Sequence, residues 1–127
     1  MMKPGQTMAA LVLCIVPGVS LAQDCRDLKE GSTAWAGCVA YKAFEREDKA
    51  LSAVYRKLEA AMNKPEWMEV RKRLIESQQA WLAYRERECQ FVNDLAGGAG
   101  GANAMGCQAD MTKARTLYLS RVLEQFK

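Results

Sequence analysis

The sequence predicts an all-α domain: a small, disulfide-tied helical bundle of two long antiparallel helices and a third, shorter helix. Three observations predict it. Apolar residues recur at intervals of three and four over two long segments. No run alternates apolar and polar positions over several β-branched residues, as a strand would. Four of the five cysteines follow the first 22 residues, in a chain of single-domain length, and are expected to form two cross-links.

The first 22 residues are predicted to be a cleavable signal peptide. Lys3 precedes an apolar run over residues 8–19, and Ser20 and Ala22 are the small residues that a signal peptidase reads. A transmembrane anchor is the competing interpretation, but the run is shorter than the ~20 residues that span a bilayer, and Pro17 would break a helix. Cys14 does not predict a lipoprotein, because Leu13 before it is too large. We expect cleavage after Ala22 and a mature domain of residues 23–127, periplasmic or secreted, with no membrane anchor.

The first long helix is predicted over residues 34–62, and Pro65 stops it because the residue before a proline avoids the helical conformation. Its inner face carries six apolar residues, with Asp48 in the gap of the series: Tyr41, Phe44, Leu51, Tyr55, Leu58 and Met62. Pro65 also suits the first turn of a second helix, which we expect to run to about Leu95. The tight turn between the two helices makes them antiparallel.

A glycine-rich stretch follows, and its composition predicts a loop over residues 97–106. The third helix is predicted from about Cys107 to Gln125. Its inner face would carry Met111, Tyr118 and Val122.

Four cysteines remain after the predicted cleavage: Cys25, Cys38, Cys89 and Cys107. An even number in a small exported domain favours two disulfides over a zinc site, and the chain has no histidine and no CxxC pair. Three pairings are possible. We favour Cys25–Cys38 and Cys89–Cys107, because each pair joins sequence neighbours across a turn-rich segment. Each would contribute about 3 kcal/mol by restricting the unfolded chain.

The charge is too balanced to indicate a nucleic-acid or anionic membrane partner. Residues 23–127 carry 17 basic and 15 acidic residues, since Lys3 is the single charge in the predicted leader. No metal, nucleotide or organic cofactor is implied.

Four polar residues fall on the apolar inner faces: Asp48, Gln78, Arg85 and Arg115. Because a buried unpaired charge is costly, we expect an inner polar network with Asp48 as acceptor and Arg85 or Arg115 as forked donor. The alternative makes Asp48 a general acid or base. That role needs a second group poised near neutral pH, and the chain offers neither histidine nor a free thiol, so we predict no catalytic residues.

Two features are candidate partner-binding elements. Trp35, Trp67 and Trp81 lie at helical spacing and favour core positions, but Trp67, in a first turn beside Glu66, is the one expected to stay partly exposed. The glycine loop lacks the Lys-Ser/Thr sequence of a phosphate cradle, and instead presents a tethered surface. The candidate residues are Trp67, Gly97, Gly98, Gly100 and Gly101.

The segment QQAWLAYRERECQ at residues 78–90, the Gly97–Gly98 pair, Cys107 and MTKARTLYL at residues 111–119 together resemble the LprI-type lysozyme-inhibitor-like family of exported bacterial domains. EDKALSAVYRKL at residues 47–58 resembles that family's upstream stretch. The residues of this chain on the family's motif positions are Asp48, Gln78, Trp81, Tyr84, Arg85, Cys89, Cys107, Thr112 and Arg115.

The resemblance implies an exported, helical, disulfide-bonded domain. With no catalytic pair in the sequence, we expect it to bind a protein and to have no enzymatic activity. Its expected partner is another protein, with lysozyme or a lytic peptidoglycan enzyme as the candidate. Two alternatives stay open. One is an envelope accessory domain without inhibitory activity, which a large exposed apolar patch would favour. The other, ranked last, is a cell-wall glycoside hydrolase, which would need two carboxylates facing a cleft.

Overall fold

The computed structural model describes residues 24–98 and 101–127. Three α-helices dominate: α1 over Thr33–Ala61, α2 over Met68–Leu95 and α3 over Ala102–Leu123. Short 3-10 turns precede α1 and α2 and follow α3, at Cys25–Asp27, Pro65–Trp67 and Glu124–Phe126. No strand occurs in the described ranges, which confirms the all-α prediction. The predicted signal peptide lies outside them.

Helix α1 begins and ends where its sequence requires. The Ser32 hydroxyl caps it by accepting a hydrogen bond from the Trp35 amide at 3.1 Å. Met62 closes its last turn, and the extended backbone of Lys64 before Pro65 prevents continuation. Pro65 then opens a 3-10 turn instead of the first α-helical turn that the sequence predicted, so α2 begins at Met68.

The glycine-rich segment is a shorter loop than predicted. Helix α2 ends in a Schellman motif: the amide of Gly98 donates to the carbonyl of Asn93, and Gly97 occupies the left-handed region. The prediction that α3 starts at Cys107 was wrong, because α3 starts at Ala102, directly after Gly101 with its positive φ. The helix tolerates Gly106 because three residues with favourable helix propensity precede it. They are Ala102, the buried Ala104 and Met105.

The two disulfides join the expected pairs. Cys25–Cys38 ties the first 3-10 turn to α1, with Cα atoms 5.7 Å apart. Cys89–Cys107 ties the end of α2 to the start of α3 across the glycine loop, with Cα atoms 5.4 Å apart. The second bond thus fixes α3 beside α2 in antiparallel orientation.

The helices are unequally spaced. Most of the close backbone approaches are between α1 and α3, and fewer are between α2 and α3. Small side chains explain the closeness of α3, since its buried residues include Ala104, Ala109 and Thr112. Helix α2 instead turns long side chains inward, among them Trp81 and Arg85, and so stands further from α1. A small apolar core lies towards the carboxyl-terminal ends of α1 and α3. It consists of Leu51, Leu58, Met62 and Leu119.

Candidate functional site

Arg85, on the inner face of α2, is the centre of a polar cluster that joins all three helices. Its Nη1 donates to Asp48 Oδ1 on α1 at 3.0 Å and to Thr112 Oγ1 on α3 at 2.7 Å. The Arg85 side chain is 11 % exposed and Thr112 is fully buried, whereas the Asp48 side chain is 43 % exposed. The charge is therefore paired with a carboxylate that reaches solvent.

Aromatic rings cover the same guanidinium. The Arg85 Cζ lies 5.1 Å from the Phe44 ring centroid and 5.2 Å from that of Trp81. Attraction to the ring faces offsets part of the cost of burying the charge. The Nε of Arg85 is buried and has no hydrogen-bond partner among the described residues. The rings therefore do not fully replace the hydrogen bonds that the guanidinium would make with water.

Arg115, on α3, forms a second and different cluster. Its Nε donates to Gln78 Oε1 at 3.1 Å and its Nη2 to Ser77 Oγ at 3.2 Å. The guanidinium also lies over the Trp81 and Tyr118 rings, at 5.6 and 5.4 Å. Within the described ranges, no carboxylate pairs with it. Desolvation lowers the pKa of Arg115 below its ordinary value, although the group stays cationic.

The predicted inner residues are thus brought together in two pairs. The structure assigns Asp48 to Arg85 and Gln78 to Arg115, and both arginines lie over Trp81. Thr112 was not predicted to belong to the network, although its position one helical turn before Arg115 puts it on the same face of α3.

An open groove separates α1 from α2 beside the Arg85 cluster. It encloses about 330 Å³. The α1 side provides Asp48, Leu51, Ser52 and Tyr55, and the α2 side provides Ile75, Gln78, Gln79, Leu82 and Arg85. Its two charges already neutralise each other across 3.0 Å. Burial raises the pKa of the Tyr55 phenol, and the nearby Glu59 adds to that shift.

A second groove of about 220 Å³ lies mainly between α2 and α3. Apolar residues form most of its lining, and its charged residues are Arg73 and Arg115. Tyr118 also lines it and is half exposed. This groove therefore combines an apolar floor, an aromatic wall and two cations.

The two candidate partner-binding elements lie at opposite ends of α2. Trp67 precedes the helix, is 37 % exposed and packs edge-on against Phe126, with ring centroids 5.1 Å apart. The glycine loop follows the helix, whose 28 residues span about 42 Å. Gly97, Gly98 and Gly101 all have positive φ, and Gly100 lies outside the described residues. One compact site cannot include both elements.

The side chains around Trp81 are suited to binding. The two arginines donate hydrogen bonds, amide and hydroxyl oxygens accept them, and the Asp48 carboxylate is held by Arg85. Within residues 24–98 and 101–127, no group of three or more Cys, Asp or Glu side chains is placed to hold a metal ion. None of the helices described is both long and apolar enough to cross a membrane.

Comparison with known proteins identifies the family. No curated protein and no solved structure gives a significant match to the chain. The family model described as lysozyme inhibitor LprI matches residues 24–119, a span that begins at the 3-10 turn before α1 and ends on the buried Leu119 of α3. It includes both disulfides and both arginine clusters. The chain therefore belongs to the LprI lysozyme inhibitor family.

Proposed function

We propose that this chain is an exported, non-enzymatic domain that binds and inhibits a peptidoglycan-cleaving enzyme of the lysozyme type. The observation that carries the proposal is the match of residues 24–119 to a family of lysozyme inhibitors. The two disulfides support export, since such bonds persist in oxidising compartments. Residues 1–22 serve as the signal peptide in this proposal, and residues 23–127 form the active domain.

The character of the clusters supports binding over catalysis. The Asp48 carboxylate accepts a hydrogen bond from Arg85, so it serves as the counter-ion of a buried cation. Acid–base catalysis by Asp48 would also need a second titratable partner such as a histidine, and the chain has no histidine. The arginines, with their fixed forks of donors, are among the residues enriched at protein interfaces.

The direct test measures muramidase activity. The full chain is expressed with its own leader, the oxidised protein is purified from the periplasmic fraction, and c-type and g-type lysozymes are titrated with it. We expect a dose-dependent loss of activity that disappears when both disulfides are reduced. Full activity at a large molar excess of the oxidised protein would contradict the proposal. N-terminal sequencing of the same sample tests the leader, and Gln23 is the expected first residue.

A second candidate function is docking to another envelope protein without inhibition. An exposed apolar face of α2 favours it: Tyr84, Phe91 and Leu95 recur at helical spacing, and Leu95 is 76 % exposed. A Phe91→Ser, Leu95→Ser double variant separates the two functions. If the chain serves only such docking, the parent leaves lysozyme fully active and retains an envelope protein in a pull-down, and the double variant loses that protein.

A further inference from the structure

Arg115 differs from the two other inward-facing arginines in lacking an acidic partner. Arg85 pairs with Asp48 at 3.0 Å, and Arg71 pairs with Glu59 at 2.6 Å. Arg115 donates only to the neutral side chains of Gln78 and Ser77. A guanidinium has five N–H donors, so three N–H groups of Arg115 have no partner in the described part of the chain. A partly desolvated cation in this state is stabilised by an incoming anion.

The groove between α2 and α3 gives an anion access to this guanidinium. Arg73 lines the same groove, is exposed and forms no ion pair with any described residue, although Glu69 and Glu76 lie one turn away on α2. No acidic residue lines the groove. Its net charge is therefore +2, whereas the groove between α1 and α2 is neutralised by its own Asp48–Arg85 pair.

The other residues of this groove favour a carboxylate on a protein over a free inorganic anion. Val70, Leu74 and Val122 give it an apolar lining, and Tyr118 gives it a half-exposed ring. Apolar and aromatic surface contributes to association when a partner covers it, and contributes little around a small hydrated ion. Glycoside hydrolases carry a pair of carboxylates in the substrate cleft.

We infer that the α2–α3 groove is the docking surface for a glycan-cleaving enzyme, and that Arg115 and Arg73 receive carboxylates of that enzyme's cleft. The inference rests on the proposed function and adds to it the surface and the chemistry of the contact. Tyr118 and Val70 pack against the enzyme around the ion pairs. The paired carboxylates are then withheld from the glycan, so the contact itself inhibits.

The first experiment measures the affinity of the oxidised, periplasmically expressed protein for a c-type lysozyme by calorimetric titration. Arg115→Gln and Arg73→Gln each remove one charge from the groove. We expect each to raise the dissociation constant about tenfold or more, because a charge-assisted hydrogen bond is lost. Arg87→Gln is the matched control: it removes one charge from an exposed position of α2 that does not line the groove, and we expect a change of less than twofold. Arg73→Gln breaks no described hydrogen bond, so it remains informative if Arg115→Gln unfolds.

A second arm varies the enzyme. A lysozyme whose catalytic glutamate is replaced by glutamine should bind the parent protein about tenfold more weakly and should lose most of its sensitivity to Arg115→Gln. Arg73→Gln and Arg115→Gln proteins that bind as tightly as Arg87→Gln would overturn the inference and leave the proposed inhibition intact.

A third arm uses succinate as probe and needs no enzyme. The Nε–Hε resonances of the arginines are followed by NMR during the titration. A selective shift of Arg115, with Arg85 unmoved, supports the carboxylate site. If lysozyme nevertheless fails to bind, the docking of a glycan-cleaving enzyme is overturned together with the proposed function, and only the carboxylate site stands. If neither succinate nor lysozyme perturbs Arg115, the inference is overturned.

Discussion

Arg85 on α2 donates a 2.7 Å hydrogen bond to the hydroxyl of Thr112 on α3, a side chain with no exposed surface. The same nitrogen also bonds Asp48 on α1. Thr112 is thus the buried point at which the charged cluster is anchored to the tightly packed α1–α3 pair. Because solvent does not reach Thr112, no water molecule can replace its hydroxyl as an acceptor for the Arg85 guanidinium.

Thr112→Val should lower the free energy of unfolding by about 1–3 kcal/mol, because it keeps the side-chain shape and removes the buried acceptor of a charged donor. Urea denaturation followed by helix circular dichroism measures it. Thr116→Val is the control. The Thr116 hydroxyl bonds only the Thr112 backbone carbonyl within the same helix, so we expect a loss below about 0.5 kcal/mol. Equal losses for the two variants would contradict the anchoring role of Thr112.

Gly106→Ala should raise the free energy of unfolding by about 0.5–1 kcal/mol. Gly106 lies inside α3, and beyond its chain neighbours and the adjacent backbone of its own helix a Cβ there would meet no atom within 4 Å. Alanine therefore gains helix propensity without a clash. Gly97→Ala should have the opposite sign, with a loss of about 1 kcal/mol, since its φ of +85° is unfavourable for an L-residue. If Gly106 were in a loop, as the sequence predicted, its substitution would not stabilise the helix.

Trp67→Ala should lower the free energy of unfolding by about 1–2 kcal/mol, since it removes the edge-on contact with Phe126 and part of an apolar side chain. Trp67→Phe keeps a ring against Phe126 and should lose less than half as much. Thermal unfolding of the two variants measures both losses of stability. A neutral Trp67→Ala variant would show that the Trp67–Phe126 contact contributes nothing to the fold, and would leave partner binding as the candidate role of the indole.

The sequence predicted the two long helices because their periodicity extends over seven or more turns, and it predicted the disulfide pairing because each pair is close in sequence. It failed at the start of α3. The composition of the glycine-rich stretch does not distinguish Gly97, Gly101 and Gly106 from one another. The first two nevertheless adopt the left-handed conformation, whereas Gly106 is helical. Nor could it assign partners to the arginines, because Arg85 and Arg115 both face inward. Their partners depend on the spacing of the helices, which the small α3 residues and the long α2 residues set together.

The two disulfides should differ in their resistance to reduction. Cys89 is fully buried. The Met111 sulfur lies 3.6 Å from the sulfur of Cys89 and 3.9 Å from that of Cys107. Cys25 belongs to a short 3-10 turn with no buried residue, so we expect a thiolate to reach its disulfide without unfolding of the bundle. Mild reductant followed by alkylation should therefore label Cys25 and Cys38 first, as read by mass spectrometry of the digested protein. Because Cys89 is fully buried, we expect the Cys89–Cys107 bond to be reduced mainly after α2 and α3 separate. Its reduction rate should therefore rise with urea in parallel with unfolding, whereas the rate at Cys25–Cys38 should not. Simultaneous labelling of all four cysteines would contradict this order and indicate that reduction proceeds through global unfolding.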